Sequence, residues 1–142
     1  MKHLVSTLTV ILALAAPALA DGHQSAAPEG AAAYIIAPAD GATVSNPVTI
    51  VFGLAGMGVA PAGTEAENTG HHHLLINTDP AGVDLTQSLP ATDQIVHFGA
   101  GQTQVTRDLP AGTHTLRLLL GDLNHVPHNP PVMSEEITIT VE

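Results

Sequence analysis

The sequence predicts an all-β fold, an immunoglobulin-like antiparallel β-sandwich of about seven strands. Short apolar or alternating segments recur through residues 34–141, separated by turn sequences such as Pro-Ala-Asp-Gly at 38–41 and Pro-Ala-Gly at 110–112. No segment of useful length has the 3.6-residue period of an amphipathic helix. A sandwich is the architecture that best buries so many short strands within one domain.

Each predicted strand is bounded by a loop or turn. The first ends at the 38–41 turn, and the third follows a long Gly/Pro/Ala-rich loop at 53–70. The fifth alternates like a half-exposed strand, and the last places Ile137, Ile139 and Val141 on one face. In chain order, the predicted strands are 34–36, 48–54, 71–77, 94–98, 103–109, 113–120 and 136–141.

The first twenty residues have the pattern of a signal peptide. Lys2 supplies a positive start, residues 4–16 are mostly apolar, and Ala18 and Ala20 form the small-residue motif of a cleavage site. The apolar stretch is shorter than the roughly 20 residues of an ordinary membrane span. We therefore expect a periplasmic or secreted protein without a membrane span, with a signal peptide (1–20), a flexible leader (21–32) and the β-sandwich domain (33–142).

Composition excludes several classes of function. The chain has no cysteine, which rules out disulfides and thiolate metal sites. Its formal net charge of −10 disfavours nucleic acid as a partner and attracts cations. One tyrosine, two phenylalanines and no tryptophan are too few for a base-stacking surface.

Three consecutive histidines head the third predicted strand. Because side chains alternate along a strand, His71 and His73 share one face and His72 lies on the other. At about 3.3 Å per residue the Cα atoms of His71 and His73 are roughly 6.6 Å apart, so both rings can reach one metal ion. Histidine pairs at this spacing are also common without a metal, so other donors are needed.

The topology brings further donors to the same end of the sandwich. Chain reversals alternate between the two ends, so the loops after the second, fourth and sixth strands share one end. Those loops carry or adjoin the candidate metal ligands His71, His73, His97, His125 and His128, with His72, Met57 and Met133 as weaker candidates.

Two other histidines have different predicted roles. His114 follows the turn at the opposite end, where many sandwiches place a tyrosine that hydrogen-bonds nearby backbone, so a structural role is expected. If cleavage follows Ala20, His23 becomes the third residue of the mature chain. An amino-terminal amine, two amides and this imidazole could then hold Cu(II) or Ni(II) in a square plane.

The chain also resembles a known family of small exported bacterial proteins, catalogued as a domain of unknown function. The resemblance includes the Gly-His-His-His-Leu-Leu-Ile strand and the Asn-His-x-Pro-His loop, and it covers nearly all of 34–141. It implies a bacterial, exported, single-domain protein, and it implies no particular activity. The segments that carry it are 53–63, 67–76, 97–103, 119–128 and 130–134.

The leading hypothesis is a domain that binds copper, or alternatively zinc, for storage, delivery or protection. A superoxide-handling copper enzyme is a second hypothesis, but the cysteines of that class are missing and Arg107 and Arg117 have no evident route to the histidines. No nucleophile with a recognisable motif is present, so enzymatic activity is not expected. A third hypothesis is an envelope interaction or structural domain with hydrogen-bonded histidines and a protein partner that the sequence does not identify.

Overall fold

A computed structural model of the protein describes residues 24–142. The predicted signal peptide and residues 21–23 lie outside this part. Within residues 24–142, no helix is long and apolar enough to cross a membrane. The described chain forms a short 3-10 helix at Pro80–Gly82 and the strands β1 (Ala32–Ala37), β2 (Thr43–Val44), β3 (Val48–Ala55), β4 (Gly58–Val59), β5 (Thr69–Ile76), β6 (Ile95–His97), β7 (Gln104–Arg107), β8 (Gly112–Gly121) and β9 (Ile137–Val141).

The predicted all-β sandwich is confirmed. One sheet has the order β1-β3-β7, and the other has the order β2-β9-β8-β5, with β4 and β6 pairing with different parts of β5. The long strands pair antiparallel. The two-residue strands β2 and β4 pair parallel with β9 and β5. As in immunoglobulin domains, the first, second and fifth predicted strands form one sheet, while the third, sixth and seventh form the other.

Apolar side chains from both sheets form the main core. Ile50 and Phe52 of β3 face Leu74 of β5 and Leu118 of β8, and all four are at most 3% exposed. Their spacing by two residues follows the alternation of a strand. Burying an aliphatic or aromatic side chain of this size contributes roughly 1.5–3 kcal/mol, so this interface supplies much of the stability of the fold.

Strands β5 and β8 are buried on both faces. Leu75 and Leu119 point away from the main core and join a second apolar cluster with Leu89 and Ile95. The loop that contains Leu89 therefore covers the outer face of the larger sheet. Double coverage explains why 74–76 and 118–120 are uninterrupted apolar runs instead of alternating ones. It also means that His71 and His73, on the same outer face, lie in the interior.

His114 has the structural role that the sequence predicts. Its Nε2–H donates to the carbonyl of Pro110 at 2.8 Å, and its Nδ1 accepts from the side-chain amide of Asn77 at 3.0 Å. The Asn77 side-chain oxygen in turn accepts from the backbone N–H of Thr115 at 2.9 Å. This network joins the end of β5 to the start of β8, at the end of the sandwich opposite His71 and His73.

Candidate metal centre

Two neighbouring strands place three histidines on one face. His71 and His73 project from the outer face of β5, and His97 of β6 lies directly opposite His73 in the antiparallel register. Residues that oppose each other in such a pair project from the same face with Cβ atoms about 4.5–5.5 Å apart. The ring centroids of His73 and His97 are accordingly 5.2 Å apart, and those of His71 and His97 are 5.0 Å apart.

A tight turn after β8 supplies the fourth histidine. His125 has a left-handed backbone, with φ of 66°, and its backbone N–H donates to the carbonyl of Asp122. The buried carboxylate of Asp122 accepts from the backbone N–H groups of Asn124 at 2.8 Å and Val126 at 3.0 Å. It also accepts from the hydroxyl of Ser25 at 2.8 Å. Asp122 thus holds the turn in the shape that directs His125 toward β5.

The sequence analysis did not single out Asp122. Its signal is the Gly-Asp-Leu-Asn sequence at 121–124, because aspartate commonly accepts hydrogen bonds from backbone N–H groups two residues further along a turn.

The four side chains form a compact group. We call His71, His73, His97 and His125 the histidine cluster, because one ring nitrogen from each lies within 4.8 Å of the corresponding atoms of the others. The closest contact is a hydrogen bond of 3.0 Å between His71 Nε2 and His125 Nδ1. A tetrahedral ion with bonds of about 2.05 Å requires nitrogens about 3.3 Å apart. The donor atoms are therefore within about 1.5 Å of that arrangement.

Two glycines create the space for these rings. A Cβ atom at Gly121, which pairs with His71 across β5 and β8, would lie 2.7 Å from Cε1 of His73. A Cβ atom at Gly99 would lie 2.3 Å from Cε1 of His97. Side chains at either position would displace a ring of the histidine cluster. The two glycines therefore belong to the architecture of the site, although they offer no side-chain donor.

Burial keeps the strand histidines neutral. Desolvation, followed by the neighbouring histidines His125 and His97, lowers the pKa of His71 from 6.5 to about 4. Desolvation, followed by the neighbouring histidines His71 and His97, lowers the pKa of His73 to about 3. The pKa of His97 is lowered for the same two reasons. Because a metal ion binds neutral imidazole, these rings need not lose a proton at neutral pH before they coordinate.

Several buried nitrogens in the histidine cluster lack a partner within residues 24–142. They are Nδ1 of His71, both ring nitrogens of His73 and Nε2 of His97. Buried polar atoms are nearly always hydrogen-bonded in folded proteins, and each unsatisfied one costs about 1–3 kcal/mol. A bound cation would satisfy several at once. Spacing, neutrality and unused lone pairs agree, so the histidine cluster can hold a metal ion.

His72 does not join the histidine cluster, although it was a weaker candidate ligand. It points into the main core, where its ring centroid is 5.2 Å from that of Phe52. Burial lowers its pKa to about 4, and neither ring nitrogen has a partner among the described residues. The alternation of β5 thus separates His72 from His71 and His73, as the sequence predicts.

The structure places the remaining candidates away from the histidine cluster. His128 is 2% exposed and lines a separate pocket, because the tight turn at 122–126 directs His125 and His128 to different places. Met57 packs against the main core, and Met133 packs against the second apolar cluster. His23 lies outside the described residues. Four of the predicted histidines, His71, His73, His97 and His125, therefore converge.

Comparison with known proteins gives a family and no activity. A search of curated proteins finds no match to this chain. A family model described as "Domain of unknown function (DUF4399)" matches residues 50–142, a range that includes the whole histidine cluster as well as Asp122. This range is more than half of the chain and extends from β3 to the last residue. The protein therefore belongs to the DUF4399 family of domains of unknown function.

Proposed function

We propose that this protein is an exported transition-metal binding domain that stores, delivers or sequesters copper, with zinc as the alternative metal. The observation that supports this most directly is the set of four imidazoles with one ring nitrogen each within 4.8 Å of the others, in which His71, His73 and His97 have buried nitrogens without a partner among residues 24–142. His114 shows the contrasting case of a structural histidine, since both of its ring nitrogens are hydrogen-bonded within the protein.

The donor chemistry favours a borderline divalent ion. Imidazole suits zinc, copper, nickel and iron, whereas calcium and magnesium prefer oxygen ligands. Within residues 24–142, the group consists of four imidazoles and contains no carboxylate. Among divalent ions a nitrogen site of this kind generally binds copper most tightly. Cu(II) is therefore our first choice and Zn(II) our second.

The number of ligands favours binding over catalysis. Catalytic zinc sites usually have three protein ligands and keep one position open for water or substrate. Four imidazoles fill a tetrahedral ion, and two of the four residues, His71 and His73, are at most 1% exposed. A closed site fits storage, delivery or protection better than it fits superoxide chemistry. The predicted signal sequence is the basis for proposing that the protein binds its metal in the periplasm or outside the cell.

Metal analysis of the mature protein, purified from periplasm without an affinity tag, tests this proposal. We expect one equivalent of copper or zinc in the parent protein and less than a tenth of that in His71→Gln/His73→Gln. Glutamine retains polarity and much of the side-chain volume, and circular dichroism checks that both proteins are folded. Because these two positions are buried, His97→Ala and His125→Ala serve as less disruptive variants and should each lower affinity at least tenfold.

His23→Ala is the matched control, because it removes an imidazole from outside the histidine cluster. This variant should retain the full equivalent of metal. If metal remained bound in the variants of the histidine cluster but was lost in His23→Ala, the metal site would be assigned to the amino terminus. A folded parent protein that neither contains copper or zinc nor takes up either ion at micromolar concentration would contradict the proposal, and would favour an envelope interaction or structural domain.

A further inference from the structure

A polar pocket of about 540 Å³ lies beside the turn that carries His125. Its wall includes the carboxylates Glu65, Glu67 and Asp122, together with the imidazole of His128. Glu65 and Glu67 lie on the exposed loop before β5, whereas Asp122 and His128 are 3% and 2% exposed. The pocket therefore combines an acidic mouth with a buried nitrogen donor.

His128 distinguishes this pocket from an ordinary group of surface acids. It is almost completely buried, and its Nδ1 has no hydrogen-bond partner in the part of the chain that the structure describes. A buried ring nitrogen that the protein does not satisfy is available to coordinate a ligand. Aspartate and glutamate beside it make a cation the favoured ligand.

Two elements contribute residues both to the wall of the pocket and to the histidine cluster. Thr69 lines the pocket, and because side chains alternate along β5 it lies on the same face as His71, roughly 6.6 Å away along the strand. Asp122 and Leu123, which also line the pocket, belong to the turn that carries His125. Two elements thus lead from the pocket to the histidine cluster.

The opposite side of the histidine cluster is apolar. Beyond His73 on the same face of β5 comes Leu75, which packs with Leu89, Ile95 and Leu119 in the second apolar cluster. A hydrated cation would lose much of its hydration there without gaining a ligand, which is strongly unfavourable. The polar pocket offers oxygen and nitrogen ligands along its wall.

The geometry points to this pocket as the entry site through which a divalent transition-metal cation reaches the histidine cluster, with Glu65 and Glu67 attracting the hydrated ion and His128 binding it in transit. The inference rests on the proposed metal-binding function and adds a route to it. Water ligands exchange first for the imidazole of His128 and then for the imidazoles of the histidine cluster, without a change in the oxidation state of the metal. His128 is therefore a transit ligand, separate from the final four.

Stopped-flow mixing of the mature apoprotein with Cu(II) or Zn(II) ions alone tests the route. Glu65→Gln/Glu67→Gln removes two exposed charges, so the fold should be retained. We expect its association rate at low ionic strength to be 3–10-fold lower than that of the parent, and the difference to vanish near 1 M salt because screening removes long-range attraction. Asp108→Asn/Glu142→Gln removes two charges outside this pocket and should leave the rate unchanged.

His128→Gln separates a transit ligand from a final ligand. A transit site speeds passage in both directions, so association and dissociation should slow together by at least threefold while Kd stays within about twofold. An unchanged association rate with a weaker Kd would make His128 a final ligand and overturn the inference. Equal association rates in Glu65→Gln/Glu67→Gln and in its control, Asp108→Asn/Glu142→Gln, would also overturn the inference. The proposed function would remain intact. A parent protein that binds neither ion would overturn both.

Discussion

At the scale of single residues, the histidine cluster depends on a position that has no side chain. Gly121 opposes His71, and a Cβ atom there would lie 2.7 Å from Cε1 and 3.1 Å from Nδ1 of His73. The nearby backbone carbon of His125, at 3.3 Å, prevents the new methyl group from moving the other way. Adding even one methyl group at this position must therefore displace a ring.

We expect Gly121→Ala to lower the free energy of unfolding by about 1–3 kcal/mol, as overpacking a buried site commonly does. The displaced ring of His73 should also weaken metal binding at least tenfold. Urea denaturation and metal titration measure the two effects. The matched control is Gly82→Ala, where the added Cβ has no neighbour within 4 Å, and it should change neither quantity appreciably. Equal stability of the two variants would contradict the packing argument.

Sequence reasoning succeeded at this scale where the period of a strand determines the outcome. Alternation along β5 separated His72 from His71 and His73. The alternation of chain reversals between the two ends of the sandwich placed His97 near them, and the structure shows that it does so through the pairing of β6 with β5. The sequence did not distinguish the position of His125 from that of His128, since both histidines were assigned to one loop. Their different environments depend on a left-handed residue at His125 and on hydrogen bonds to Asp122. Those features arise from tertiary contacts and leave only a weak turn signal.

At the scale of elements, the turn at 122–126 connects the fold to the site. The side chain of Asp122 accepts two backbone N–H bonds within the turn and one bond from Ser25, while the carbonyl of His125 accepts from the backbone N–H of Leu89. These bonds hold His125 from both sides. The loop is therefore rigid where it contributes a ligand, and rigidity lowers the cost of ordering that ligand on binding.

We expect Asp122→Ala to destabilise the protein by about 2–4 kcal/mol, because it removes the buried carboxylate that accepts from two backbone N–H groups of the turn and from the hydroxyl of Ser25. Metal affinity should fall as His125 loses its fixed orientation. Asp84→Ala is the comparison, since the carboxylate of Asp84 accepts two bonds from Thr86 in an exposed turn. Water can replace those bonds, so that variant should lose much less stability than Asp122→Ala. Thermal unfolding with and without metal distinguishes the two results.

The length of a strand determines whether the sequence predicts it. All seven predicted strands are present, because each combines an apolar pattern with clear turn residues at its ends. The two strands that were not predicted, β2 and β4, contain two residues each and pair parallel with β9 and β5. A pairing of two residues has no period to recognise. It forms because neighbouring strands bring the backbone close, which is a property of the completed fold.

At the scale of the whole molecule, three buried histidines link stability to pH. The folded state holds the pKa of His71 and His72 at about 4 and that of His73 at about 3, whereas the unfolded chain has values near 6.5. Between pH 6.5 and these lower values the unfolded state binds more protons, so acidification favours unfolding. The contribution of these three histidines to the stability of the apoprotein is therefore fully present above pH 6.5, and it is lost as the pH falls toward 4 and, for His73, toward 3.

The expected loss at pH 5 is about 2 kcal/mol for each of the three rings, a large share of the 5–15 kcal/mol that stabilises a typical domain. Urea denaturation of the apoprotein at pH 7.5 and pH 5 measures it. His72→Leu isolates one contribution, because this ring lies in the main core next to Phe52 and is not in the histidine cluster. That variant should lose about 2 kcal/mol less than the parent over the same pH interval, since leucine has no proton to gain. If both proteins lose the same stability, the proton linkage does not originate in the core histidine, and acid unfolding would have to be assigned to groups elsewhere in the chain.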